Sequence, residues 1–188
     1  RTDVTPGGLG GWTQQVLTPT AGVGHRMGIY TRSIVGGESA PTITGLAADD
    51  PKNVPVYQIS GHNGVNGATQ VAASVATIST PRATPALTTT VADCLVISSM
   101  YIQMPVDDDS WAWSAGAALT DFKTAVVGGW YSHQGSVSAV KATAGAITPP
   151  TVTVTGTNTS LNYAATNIAI APSAAPPADN KRFFFGMD

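Results

Sequence analysis

The chain has 188 residues, a formal net charge of −2, and 11% charged against 43% hydrophobic residues, so a core can be buried but little ionic surface is left over. The 9 Lys and Arg are scattered, and without a basic patch no nucleic-acid partner is expected. The single cysteine, Cys94, rules out an intrachain disulfide, and no run approaches the ~18 apolar residues of a membrane span. Thr, Ser, Asn and Gln must supply most of the polar surface, which suits exposed strand faces and a protein held within a larger assembly. No signal peptide is legible, and the start at Arg1 rather than Met leads us to expect missing upstream sequence.

The 20 Gly and 13 Pro punctuate the chain every few residues, and β-branched residues fill the intervals. That pattern predicts many short strands and an all-β antiparallel β-sandwich, jelly-roll-like, over residues 1–172. A first strand is expected at Trp12 to Leu17. A second runs from His25 to Val35, with Met27, Ile29 and Val35 on one face and Arg26, Tyr30 and Arg32 on the other. Pro41 to Gly45 reads as a brief strand, Ala48 to Asn53 as a polar turn, and Val54 to Gly61 as a further strand. "HNGVNG" (His62 to Gly67) contains two Asn-Gly steps and reads as a loop with positive-φ positions. Val71 to Ser79 fits strand or helix, and Thr80 to Pro85 reads as extended loop.

"DCLVISSMYIQM" (Asp93 to Met104) is the strongest strand and is expected to be central, because its apolar residues fall on both faces. Cys94 within it reads as a small core residue, with a reactive thiol as the alternative. Pro105 to Gly116 is expected as a long loop, Ala117 to Gly128 as holding one short helical turn, and Gly129 to Thr143 as a bent or bulged strand. Thr151 to Gly156 alternates cleanly, and Leu161 to Pro172 forms the last strand, with Thr166, Ile168 and Ile170 on one face. Residues 173–188 follow as a Pro/Ala-rich linker and a Phe-rich arm. Phe183, Phe184 and Phe185 either fold back on their own domain or act as an assembly arm on a neighbour.

Several of these segments are similar to β-sandwich, jelly-roll-like domains of phage virion structural proteins. "TPGGLGGWTQQV" resembles their Pro-Gly-Trp-Thr segment, and "IYTRSIVGGESAPTITG" the following strand with its aromatic–Arg pair. "VYQISGHNGVNG" resembles their strand ending in a Ser-Gly turn, and "TTTVADCLVISSMYI" their Thr-rich approach to a central strand. "TVTVTGTNTSLNYAATNIAIAP" is similar to their closing pair. The resemblance spans Thr5 to Pro172. It implies a virion location as head decoration, head fibre or tail fibre, with other copies of the chain (a trimer or larger) and a capsid or tail protein as partners. It also implies strands ahead of the Pro-Gly-Trp segment, either truncated here or supplied by a neighbour.

Chemistry is thinly signalled. His25, His62 and His133 have no His-x-x-x-His spacing, so no metal site and no cofactor is expected. No Gly-x-Ser-x-Gly elbow is present, and no catalytic residue is assigned. Asp107, Asp108 and Asp109 lack EF-hand spacing and read as a solvated loop tip, as do Asp49 and Asp50. "SWAWS" places Trp111 and Trp113 on one face of an extended chain, either plugging the core or offering a platform for a sugar ring or partner. Trp130 and Tyr131, pointing opposite ways, are the other candidate contact residues. The sequence thus favours a non-enzymatic virion structural protein. The alternatives are a carbohydrate-binding adhesin module that uses surface Trp on a host glycan, and a small hydrolase.

Overall fold

The computed structural model describes residues 11–17, 27–33, 57–75, 81–104, 110–126, 130–155 and 161–173, with backbone alone at 72–75, 104, 122–126, 130 and 161. All of its regular structure is strand: β1 Thr13–Leu17, β2 Gly28–Thr31, β3 His62–Val75, β4 Arg82–Ala83, β5 Thr88–Thr89, β6 Cys94–Met104, β7 Ser110–Trp113, β8 Ala117–Val126, β9 Trp130–Lys141, β10 Gly145–Ala146, β11 Thr151–Thr155 and β12 Leu161–Pro172. The chain is an antiparallel β-sandwich, and the described residues contain no helix.

Its centre is a five-stranded sheet in the order β3-β12-β6-β9-β8. β6 occupies the middle because both of its faces are apolar enough to be covered. Cys94, Val96, Met100 and Ile102 turn to one side and Ile97 and Tyr101 to the other, and all six are buried. β12 lies beside β6 over nine residue pairs, Asn162↔Gln103 to Ile170↔Leu95. Its small Ala164, Ala165 and Ala169 are fully buried, which lets the covering layers approach the sheet closely.

On one face lies a three-stranded sheet, β4-β11-β7, continued by the short β5–β10 ladder. Val152 and Val154 of β11 pack with Met100, Ile102 and Ala165, while Trp111, Trp113, Val71 and Tyr163 close around them. Farther along the same face, Leu87, Cys94, Val96, Ala169 and Ala171 form a second cluster, with Ile147 against it. The opposite face is covered by the β1–β2 hairpin and the Tyr57–Ile59 segment. There Met27 meets Tyr101 and Ala164, and Ile29, Tyr57 and Ile59 pack on Ile97, Ile168 and Ile170. The molecule therefore has three layers across its middle.

Several expectations are corrected, beginning with the loop expected at Thr80 to Pro85, where Arg82–Ala83 is the short strand β4 paired with β11. Ala117 to Val126 is strand β8 rather than a helical turn, because it hydrogen-bonds along β9 from Ala117↔Ser138 to Val126↔Trp130. β9, expected as a bent or bulged strand, pairs with β6 without a register shift, and the bulge of its ladder with β8 sits in β8, where Leu119 is the extra residue between Ala118↔Val137 and Thr120↔Ser136. "SWAW" is strand β7, paired with β11, and not part of a long loop. The supposed loop His62 to Gly67 opens the 14-residue β3. Its glycines do carry positive φ, +81° at Gly64 and +151° at Gly67, and the register shifts beside them, so the turn chemistry is spent on bulges against β12. The bulged Asn66 fastens this edge: its amide donates to Thr90 Oγ1 at 2.8 Å and its carbonyl accepts from the Thr90 N–H at 2.8 Å.

Tyr57 to Ser60, expected within a strand, forms no strand although two of its side chains pack on the sheet. The expected elements at Pro41 to Gly45 and Ala48 to Asn53, and the Asp107–Asp109 run, lie outside the described residues.

Candidate functional site

Among the described residues, a grouping of chemically capable side chains lies between β7 and the β9–β8 edge. β7 is held in place from both ends of its sequence. Along its length it pairs with β11, Trp111 opposite Val154 and Trp113 opposite Val152. At its exit the Ser114 N–H donates to Thr151 O at 2.9 Å, and the Thr151 N–H donates to Ser114 Oγ at 2.9 Å. Alternation along so fixed a strand turns both indoles toward the five-stranded sheet, with Ser110 and Ala112 exposed. The two rings stand 5.8 Å apart and tilted by 60°.

Across the interlayer space, β9 presents Tyr131, His133, Gly135 and Val137 on the same side. Gly135 has no side chain where the Trp111 ring comes down. A Cβ built there would overlap the indole, so the close approach requires glycine. Next to it the His133 imidazole stacks on Trp111 with centroids 3.9 Å apart and planes 30° from parallel. His133 Nε2 meets Asp121 Oδ1 from the neighbouring β8. The imidazole is buried while the carboxylate is 64% exposed, so the pair runs from the interior to the solvent. The arrangement joins three strands through one ring: β7 by stacking, β8 by the carboxylate and β9 by the backbone.

A second polar grouping lies under the opposite face. Tyr57 Oη is 2.6 Å from Ser136 Oγ and 3.0 Å from Thr120 Oγ1, and those two hydroxyls are 2.5 Å apart. Three hydroxyls in mutual contact can each donate once and accept once, so the triangle satisfies itself with no charge. A third lies between the sheets, where Asn167, fully buried on β12, donates from Nδ2 to Thr84 Oγ1 at 3.1 Å and to Pro85 O.

The candidate contact residues fall into distinct places. Trp111 and Trp113 are half-buried and pack on the Met100 cluster. Tyr131 is half-buried in β9, opposite Met104 on one side and Ala125 on the other. Trp130 opens β9 opposite Val126. Phe183, Phe184 and Phe185 lie outside the described residues. Sequence reading missed His133, Asp121 and Gly135 as companions of Trp111. The spacing of His133 and Gly135 on one strand face was available, but nothing in the chain announces that β7 will lie above them.

Cys94 is fully buried in the Leu87 cluster, and its Sγ–H points to Val91 O at 3.4 Å. Burial first, and the adjacent Asp93 carboxylate second, push its thiol up, away from the thiolate that a nucleophile needs. Among the described residues no group of three His, Cys, Asp or Glu side chains could hold a metal ion, and no helix is long and apolar enough to cross a membrane. Compared with known proteins, the chain matches no family model, no curated protein and no solved structure.

Proposed function

We propose that this chain is a non-enzymatic structural protein of a phage particle, a capsid decoration or a fibre or tail component that assembles through the edges and faces of its β-sandwich. The observation that carries the reading is that three of the four exposed large hydrophobics among the described residues lie on or beside sheet edges, Val91 in the bend before β6 being the fourth. Val65 is on edge strand β3 and Leu119 on edge strand β8, while Val140, 66% exposed, is on β9 beyond the start of β8. Proteins that stay single protect sheet edges with charge, proline or bulges, and of these β3 has only its bulges. β3 runs for 14 residues without one Asp, Glu, Lys or Arg. Together with a chain-wide charged fraction of 11%, this favours a surface completed by neighbours. The resemblance of the Pro-Gly-Trp, central and closing segments to virion β-sandwich domains supplies the particle as the setting.

The test is native mass spectrometry and light scattering of the isolated chain, paired with a map of the purified particle. Trimers or larger species, or density for this sandwich on a head or tail, support the reading. A concentration-independent monomer absent from the particle overturns it.

A carbohydrate-binding module is the second reading, on the half-exposed Trp111 and Trp113. Glycan capture that is lost when both are changed to Ala, in a chain that still folds, would favour it over assembly.

A further inference from the structure

We propose that Asn63 is a site of self-catalysed modification. Its carboxamide becomes a carboxylate through a cyclic imide formed with the Gly64 nitrogen, and His62 is the general base. The conversion stands whether or not the chain assembles into a particle.

The three residues open β3, at its first bulge against β12. Pro172 pairs with His62 and Ile170 with Val65, so Asn63 and Gly64 together face the single residue Ala171. In that bulge the Gly64 N–H donates to His62 Nδ1 at 3.0 Å. A backbone N–H in a regular strand is tied to a neighbouring carbonyl, whereas this one is tied to a side chain that can take its proton. The separation falls within the ~2.6–3.2 Å over which a general base works. An imidazole that accepts at Nδ1 carries its own proton on Nε2 and is neutral, the form a base requires. Gly64 has no Cβ, and nothing lies within 4 Å of where one would stand, so no side chain crowds the peptide that must turn to close the ring. Asn63 is exposed, and among the described residues no hydrogen bond holds its carboxamide.

The chemistry balances with water alone. The Gly64 nitrogen gives its proton to His62 Nδ1 and attacks Asn63 Cγ, so a nitrogen–carbon bond forms and closes the imide ring. The Cγ–Nδ2 bond breaks, and Nδ2 leaves as ammonia with the proton that the imidazolium returns. Water then opens the ring at either carbonyl, which leaves aspartate or its β-linked isomer. β3 holds no Asp, Glu, Lys or Arg, so the product gives this edge strand its only carboxylate.

The same strand carries its own control. Asn66 is also followed by glycine. Its carboxamide, however, donates to Thr90 Oγ1 and accepts from the Thr90 N–H, each at 2.8 Å, and cannot turn toward the Gly67 nitrogen without breaking both bonds. One Asn-Gly step is poised and the other is held.

The experiment is incubation of the folded full chain in warm neutral buffer, followed by peptide mapping. Mass spectrometry reads the gain that replacing –NH2 by –OH brings at each asparagine. Carboxylate should accumulate at Asn63 about tenfold or more faster than at Asn66. His62→Asn keeps an oxygen that can accept the Gly64 N–H but cannot take its proton, and should slow Asn63 by about tenfold or more while leaving Asn66 unchanged. His62 is exposed, and circular dichroism checks that the variant keeps its fold. Conversion of Asn63 at the original rate in His62→Asn would reduce the site to an ordinary flexible Asn-Gly step and overturn the role of the base. An intact Asn63, or equal rates at the two asparagines in the native chain, would overturn the site itself.

Discussion

The two faces of the five-stranded sheet are closed by different physics. On the face beneath β11 and β7 the filling is apolar and bulky: Met100, Ile102, Val152 and Val154 are almost completely buried, and two indoles seal them. On the face beneath β1–β2 the isoleucines of β6 and β12 share the space with hydroxyls, and Tyr57 is anchored to Thr120 and Ser136 by hydrogen bonds. β9 shows the contrast within one strand. Its odd positions carry His133, Gly135 and Val137 toward the indoles, and its even positions carry Ser132, Gln134 and Ser136 toward the other layer. Apolar burial is non-directional and sums over area, whereas the hydroxyl triangle is directional and nearly neutral against water. The first face should therefore hold most of the stability, and the second should mainly fix how its cover sits.

That contrast can be broken by substitution. Ile102→Ala removes a fully buried side chain from the indole-covered face and should destabilise the fold by about 2–5 kcal/mol in urea unfolding. A loss below about 1 kcal/mol would show that this face is loosely packed. Gly135→Ala drives a methyl into the Trp111 ring and should cost about 1–3 kcal/mol. Adding Trp111→Leu, which frees space at that point, should return part of the loss, and simple additivity would contradict the contact.

Tyr57→Phe tests the other face. Thr120 and Ser136 keep each other as partners when the phenol oxygen goes, so the expected loss is only about 0.5–1.5 kcal/mol. A larger loss would reverse the ranking of the two faces.

The smallest effect concerns Cys94. Its thiol is held protonated by burial and then by Asp93, so the folded-state pKa lies above the unfolded one. Stability from this group is complete below the unfolded thiol value, near ~8.5, and is lost as pH rises through the folded value. Denaturant midpoints between about pH 8 and pH 10 should fall more in the native chain than in Cys94→Ala. Native-state alkylation of Cys94 should be slow until the protein unfolds. Rapid labelling would mean that the Leu87 cluster opens readily.

The sheet's spine was legible and its rims were not. β6 could be placed at the centre because Val96, Ile97, Met100, Tyr101 and Ile102 leave neither face polar. β11 and β12 were legible from alternation, and Thr166, Ile168 and Ile170 do share a buried face. The Ala-rich start of β8 carried no such pattern, and its state was set by the hydrogen-bonding edge of β9. The Asn-Gly steps of β3 were recognised as positive-φ sites but taken for a loop, since a bulge differs from a turn only in having a partner strand alongside. "SWAW" gave away that its two indoles share a face and nothing about what they would meet.

What the sequence determined by itself is the material: low charge, β-branched and small residues, Gly and Pro at short intervals, and hence antiparallel sheet stacked on sheet. Those are properties of single residues and of their period along the chain. Tertiary structure alone decided that Trp111 would lie on Gly135 and His133, and that Tyr57 would find Thr120 and Ser136. It also decided that β9 would outrun β8. Each of these joins residues far apart in the chain, Tyr57 and Thr120 by 63 positions, through the stacking of layers or the register of strands, and both are fixed only when the neighbouring strands are present to choose them.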